Sequence, residues 1–166
     1  MKNIQLVIFL LSTTIIFFSC NKEKEVIDKQ KPNIDFSIQD AFPLNCDTLY
    51  FGETFNFKVL FSDNVELGSF SIDIHQNFDH HSHSTEATTC NSDPIKTPIN
   101  PYSFIQDYAI PAGLKQYEPN LSITIPANNE NGLFDEGDYH FLIMLTDQSG
   151  WSTQKGLSIK ILNRNS

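Results

Sequence analysis

The sequence has little of several features, and each scarcity excludes a class of protein. No apolar run after residue 18 is long enough to cross a membrane, which argues against an integral membrane protein. From Pro32 onward there are only 6 Lys and Arg against 17 Asp and Glu, a net charge of −11. Such a surface repels phosphate backbones, so we expect no nucleic-acid partner. Helical periodicity is nearly absent, which points to a β-rich domain.

Reactive and soft side chains are scarce too. Beyond Cys20 only Cys46 and Cys90 remain, and an even pair in an oxidising compartment predicts one disulfide. Its closed loop of about 45 residues would stabilise the fold by roughly 3–4 kcal/mol. Two thiolate metal ligands are the alternative. The chain has no Gly-x-Ser-x-Gly elbow and no spaced carboxylate pair with a recognisable role, so we expect that it is not an enzyme.

The N-terminal residues have the pattern of a lipoprotein signal peptide. Lys2 is followed by an apolar stretch over residues 4–18, which is signal-peptide length, and Ser19 precedes Cys20 as in a lipobox. We predict a signal peptide at 1–19, a lipidated Cys20 with a polar tether at 20–32, and one domain at 33–163. An ordinary secretory signal with an incidental cysteine is the alternative. The predicted location is the outer membrane, facing either the periplasm or the cell surface.

Alternation of apolar and polar residues recurs along the domain. It is clearest at Phe55 to Phe61, Phe70 to Ile74, Leu121 to Ile125, Tyr139 to Leu145 and Leu157 to Ile161. About seven strands, each with one apolar face, predict an antiparallel β-sandwich. The stretch from Asp135 to Phe141 resembles a tyrosine corner, which favours an immunoglobulin-like sandwich. We expect this domain to be a monomer.

Four of the five histidines lie close together in the sequence, at His75, His80, His81 and His83. Neutral imidazole suits zinc, copper and nickel. The spacing of His81 and His83 places both rings on one side of an extended chain, where they can share an ion. Asp79 could supply an oxygen ligand or hold the second nitrogen of a histidine. Solvated histidines on a polar loop, with no ligand, are the alternative reading.

The fifth histidine, His140, strengthens the metal hypothesis. If Ile74 and Phe141 face the core, His75 and His140 face outward on two strands that are antiparallel neighbours in an immunoglobulin-like sheet. The end of one strand then lies beside the start of the other. The pattern therefore predicts that the histidines gather at one end of one sheet.

The donor types narrow the choice of metal. After Cys20 the chain has one methionine, Met144, so a soft Cu(I) site is not expected. Imidazoles with a possible carboxylate favour Zn(II) or Cu(II). The preferred ligands are His75, His81, His83 and His140, with His80 or Asp79 in support. Calcium at Asp63 and Glu66, or at Asp135, Glu136 and Asp138, is a lesser alternative, since solvated turns account for these acids.

The run Asn77-Phe78-Asp79-His80-His81-Ser82-His83, with Cys46, Cys90 and Tyr139-His140, resembles a family of Bacteroidetes lipoproteins. These proteins carry an immunoglobulin-like domain of unknown function, and the resemblance covers roughly residues 34–162. It implies an envelope location and the sandwich fold, and it implies no activity.

Two functions remain open. The first is a lipoprotein that captures or hands over Zn(II) or Cu(II) at the cell envelope. The second is an interaction module for a glycan, a protein or an outer-membrane receptor, in which the histidines are structural. An aromatic platform for the second function could come from Tyr102, Phe104, Tyr108, Tyr117 and Trp151.

Overall fold

The computed structural model describes residues 27–164, and this part of the chain is all β. It holds no helix that could span a membrane. The twelve strands within it are β1 (Asn33–Asp35), β2 (Thr48–Tyr50), β3 (Thr54–Phe57), β4 (Leu60–Ser62), β5 (Leu67–Gln76), β6 (Ser103–Ala109), β7 (Gln116–Tyr117), β8 (Leu121–Thr124), β9 (Asn128–Asn129), β10 (Gly132–Leu133), β11 (Gly137–Asp147) and β12 (Ser152–Leu162).

The larger layer is a five-stranded sheet in the order β2-β12-β11-β5-β6. Its neighbours pair antiparallel except β2, which runs parallel to β12. On β5 and β11 alternate side chains are fully buried, among them Ile72, Ile74, Phe141 and Ile143. A strand with one face on a core buries every second residue, which is the alternation that predicted these strands.

The opposing layer consists of the sheets β1-β4-β7 and β3-β8. Only Lys58 and Val59 separate β3 from β4, and there the backbone of Lys58 pairs with that of Phe42. Aromatic rings join the two layers: the centroids of Phe57 and Phe141 lie 5.8 Å apart, and those of Phe61 and Phe70 lie 4.9 Å apart. The layers pack face to face like a sandwich, and the predicted all-β class is confirmed. The immunoglobulin-like assignment stays a prediction.

A pair of hydrogen bonds and a disulfide connect loops of the domain to its strands. The hydroxyl of Tyr139 donates to the carbonyl of Asp135 at 2.6 Å and accepts from the amide of Tyr102 at 3.2 Å. This is the hydrogen bond expected of a tyrosine corner. Cys46 and Cys90 form the predicted disulfide, with Cα atoms 5.4 Å apart. It fastens the long connection between β5 and β6, which contains no strand over residues 77–102.

The end of the predicted tether packs against the domain. The predicted signal peptide and Cys20 lie outside the described residues, but Asp28 and Pro32 are both buried. Trp151 Nε1 donates to the Asp28 carbonyl at 3.3 Å, and Thr153 donates its hydroxyl to the carbonyl of Pro32. Two residues of the predicted tether are thus attached to β12 and the turn before it, while Ile27, Lys29, Gln30 and Lys31 are exposed.

Candidate metal centre

Two adjacent strands place the first two histidines. His75, near the end of β5, and His140, near the start of β11, are register partners. The neighbouring register pair, Ile74 and Phe141, faces the core and is fully buried. Because successive side chains alternate between the faces of a sheet, both histidines lie on the other face.

A loop brings the remaining rings over this pair. We call residues 77–85 the histidine loop. It leaves β5 with the amide of Asn77 donating to the carbonyl of Asp138 at 2.8 Å, and Phe78 is buried against Tyr139. At its far end the amide of Thr85 donates to the carbonyl of Gly156 at 2.9 Å. The loop therefore lies across the outer face of β11 and β12.

The rings of His75, His81, His83 and His140 form a compact cluster. The six distances between their centroids run from 5.1 to 5.6 Å. A zinc–nitrogen bond of about 2.0–2.1 Å, plus roughly 1.2 Å from nitrogen to ring centre, would place tetrahedral imidazole centres about 5.2 Å apart. The spacing of the four rings matches that value on all six edges. Ligand nitrogens of His75, His81 and His83 lie within 4.8 Å of one another, and His140 joins them by ring spacing but is not in this group.

Hydrogen bonds fix which nitrogen is free on two of these rings. His75 Nδ1 lies 2.9 Å from Asp73 Oδ1, and His81 Nδ1 lies 2.5 Å from Asp79 Oδ1. A carboxylate only accepts, so each Nδ1 carries a proton, and in the neutral form of each ring the lone pair is on Nε2. The bond from His81 lowers the pKa of Asp79, which keeps that carboxylate ionised. Carboxylate–histidine pairs of this kind orient the ligands of metal sites.

His140 is oriented in the same way through its other nitrogen. Its Nε2 donates to the His81 carbonyl at 2.9 Å, and its Nδ1 is buried with no hydrogen-bond partner among the described residues. The side chain is only 1% exposed. Burial, followed by the neighbouring histidines, lowers the pKa of His140 and favours the neutral ring. A buried imidazole nitrogen that accepts no hydrogen bond has a lone pair available for a metal ion.

Solvent reaches the cluster from one side. His140 forms its buried floor, His75 and His81 are half-buried, and His83 is exposed. An ion held here could enter and leave past His83 without opening the core.

The structure separates His80 from the other four histidines. His80 has a left-handed backbone with φ of 59°, and its Nε2 lies 2.9 Å from the carbonyl of Asp93. Its ring is 3.6 Å from Asp138 and so points away from the cluster. Asp79 takes the second of its two predicted roles, as the partner of His81.

Sequence reasoning missed two residues of this region, Asp73 and Gly156. Asp73-Ile74-His75 and Asp79-His80-His81 are both Asp-x-His runs, and in the extended strand β5 that spacing places Asp73 and His75 on one face. This repeat was a usable signal for Asp73. Nothing in the sequence marks Gly156, whose role depends on a loop packed against it from elsewhere in the chain.

The other acids and aromatics considered from the sequence have different surroundings. Asp135 accepts from the amides of Ile99 and Asn100, and Glu66 accepts from the amide of Gly113, so each supports a turn. Asp138 accepts from Lys160. Tyr102 is buried in the core, while Phe104, Tyr108 and Tyr117 pack against it, which leaves no aromatic platform among them.

Comparison with known proteins places the chain in a family without assigning an activity. No match was found among curated proteins. A family described as a domain of unknown function, DUF4625, matches residues 18–162, which is most of the sequence and includes both cysteines of the disulfide and all five histidines. This chain belongs to the DUF4625 family.

Proposed function

We propose that this protein is a cell-envelope lipoprotein that binds a transition-metal ion through His75, His81, His83 and His140, and that captures or hands over that ion. The observation that carries the proposal is the near-tetrahedral spacing of four imidazoles. The orientation of three of them by hydrogen bonds to their other nitrogen supports it further.

The donor set favours zinc over copper. Four neutral nitrogen donors in a tetrahedral array suit Zn(II), whereas Cu(II) prefers tetragonal geometry. Soft donors are not at hand, because Cys46 and Cys90 are joined to each other and Met144 is exposed on β11. We therefore assign Zn(II) as the first candidate and Cu(II) as the second.

Exposure and location favour an exchangeable ion. A structural zinc site is usually closed, whereas here His83 lies in solvent and His81 is only half-buried. The lipobox-like run before Cys20 and the resemblance to Bacteroidetes lipoproteins support an anchored position in the envelope. There the domain would meet ions that enter from outside.

The test is metal binding by the full chain, purified in mild detergent without a polyhistidine tag. We expect one Zn(II) per chain by mass spectrometry of metals and by calorimetric titration. The His81→Ala/His83→Ala double variant should lose that ion. His80→Asn is the matched control, because it removes an imidazole of the same loop while asparagine tolerates the left-handed backbone. It should retain the ion.

Absence of Zn(II) and Cu(II) binding in the wild type would overturn the proposal and leave an interaction module as the better reading. Equal loss of metal in His80→Asn and in the double variant would also count against it, because the loop's fold rather than its four converging rings would then be the cause.

A further inference from the structure

Three carboxylates meet at the opposite end of the β5–β11 pair from the histidines. Asp28 comes from the N-terminal segment, Asp63 from the turn between β4 and β5, and Asp147 is the last residue of β11. One oxygen from each lies within 4.8 Å of the others. Leu67 begins β5 and His75 is its next-to-last residue. The rise of about 3.3 Å per strand residue therefore separates this cluster from the histidines by roughly 25 Å.

In each of the three carboxylates one oxygen accepts hydrogen bonds and the other accepts none from the described residues. Asp28 Oδ1 accepts from the amide of Gln30 and from Asn64, both at 3.0 Å. Asp63 Oδ2 accepts from two backbone amides, and Asp147 Oδ1 accepts from the amide of Trp151 at 2.8 Å. The remaining oxygens, Asp28 Oδ2, Asp63 Oδ1 and Asp147 Oδ2, are buried and have no hydrogen-bond partner within residues 27–164. Hydrogen bonding from Gln30 and Asn64, with a smaller contribution from Ser149, lowers the pKa of Asp28.

Among the described residues no positive charge pairs with these acids, and the ammonium of nearby Lys115 donates to the carbonyl of Asn64 instead. Asp28 is 8% exposed and Asp147 is 4% exposed, and within residues 27–164 none of the three acids forms an ion pair. Burying a carboxylate oxygen that accepts no hydrogen bond is costly, and like charges at this separation repel each other. A bound cation would satisfy the three buried oxygens and remove the repulsion together.

The backbone around Asp147 is built to hold this position. The register between β11 and β5 shifts between Thr146 and Asp147, and such irregularities often re-aim a side chain next to a site. Gly68 allows it, because a Cβ there would lie 2.9 Å from the carbonyl oxygens of both residues.

We propose that Asp28, Asp63 and Asp147 bind a calcium ion, which fastens the N-terminal segment to the end of the sandwich. All three donors are hard carboxylate oxygens, and Ca²⁺ accepts such ligands in irregular geometry, whereas Mg²⁺ demands near-ideal octahedral coordination. The ion would fix the domain relative to any anchor upstream of Asp28. This inference does not depend on the histidine site.

The single tryptophan reports on the site directly. Trp151 is 42% exposed, and its indole nitrogen donates to the carbonyl of Asp28 at 3.3 Å. The exposed Lys29 beside Asp28 supplies a second readout, because trypsin cuts after an accessible lysine only where the backbone can leave the domain.

The experiment titrates Ca²⁺ into the chelator-treated full chain in mild detergent, following Trp151 fluorescence and tryptic cleavage after Lys29. We expect saturation at one ion per chain, half-complete at roughly 10⁻⁴–10⁻³ M as in extracellular modules. Cleavage should slow at least fivefold and recover with chelator. Asp147→Asn should abolish the response, whereas Asp107→Asn, which alters an exposed acid on β6, should keep it.

The His81→Ala/His83→Ala variant should also keep the full calcium response, which separates this proposal from the zinc site. No response of the wild-type chain to Ca²⁺ by either readout would overturn the inference, as would an equal response to Mg²⁺ at the same concentration. Because these outcomes are measured on the wild type, they hold even if Asp147→Asn does not fold.

Discussion

Gly156 on β12 and His83 in the histidine loop are in direct backbone contact: a Cβ at Gly156 would lie 2.0 Å from the carbonyl oxygen of His83. The amide and carbonyl of Gly156 both bond to Thr85 two residues further along the loop. The absence of a side chain at this one position lets the loop descend far enough for His81 and His83 to reach the strand-borne histidines.

Gly156→Ala should therefore weaken zinc binding roughly tenfold or more, because ligands displaced by even 1 Å no longer share one ion well. Calorimetric titration with Zn(II) would measure the effect. The exposed Gln154, two residues earlier on β12, offers the control Gln154→Ala, whose affinity should equal that of the wild type. Unchanged affinity in Gly156→Ala would show that the loop does not need this close approach.

Asp73→Ala should lower the Zn(II) affinity about 10- to 100-fold without removing any ligand, because Asp73 orients the ring of His75 and selects its tautomer. Competition against a chromophoric chelator would quantify the change. Ser71→Ala, on the same strand, is the matched control. If the two variants bound Zn(II) equally well, the proposed role of the Asp73–His75 pair would be wrong.

Replacing Cys46 and Cys90 together by serine should reduce the free energy of unfolding by roughly 3–4 kcal/mol, since the bridge closes a loop whose ends are 44 residues apart. Urea unfolding in the presence of chelator gives the value without a metal contribution. Wild-type protein in strong reductant should show the same loss. A difference below about 1 kcal/mol would mean that the long connection is held by other contacts.

Tyr139→Phe should cost about 1–3 kcal/mol of stability, because it leaves the carbonyl of Asp135 and the buried amide of Tyr102 without their partner. Thermal or urea unfolding would test this. Tyr108→Phe is the comparison: that ring stacks on Phe70 with centroids 4.9 Å apart, and the substitution keeps the ring. Equal losses in the two variants would argue against a special role for the Tyr139 hydroxyl.

The alternating pattern predicted the long strands well and the interruptions poorly. Phe57, Val59 and Phe61 stay in phase and buried across the break between β3 and β4, so the sequence alone reads as one strand. The break reflects pairing of Lys58 with Phe42, a contact between segments distant in the chain. β6 was missed because most of its side chains are exposed, and only Phe104 and Tyr108 pack against the core.

The meeting of His75 and His140 was predictable because the core fixes the register. Once Ile74 and Phe141 pair on the buried face, the next pair must lie outside. The departure of His80 was not predictable, since it depends on one left-handed residue and on the carbonyl of Asp93. The burial of Asp28 depends likewise on distant Asn64 and Trp151.

The disulfide between Cys46 and Cys90 also bears on when the histidine cluster can form. Thiols stay reduced in a bacterial cytoplasm and are oxidised beyond it. Under the proposed export, a newly made chain still inside the cell would lack the bridge that fastens the connection following the histidine loop. The proposed metal site would then mature only outside the cytoplasm, and synthesis of the protein would not withdraw zinc from the cytoplasmic pool.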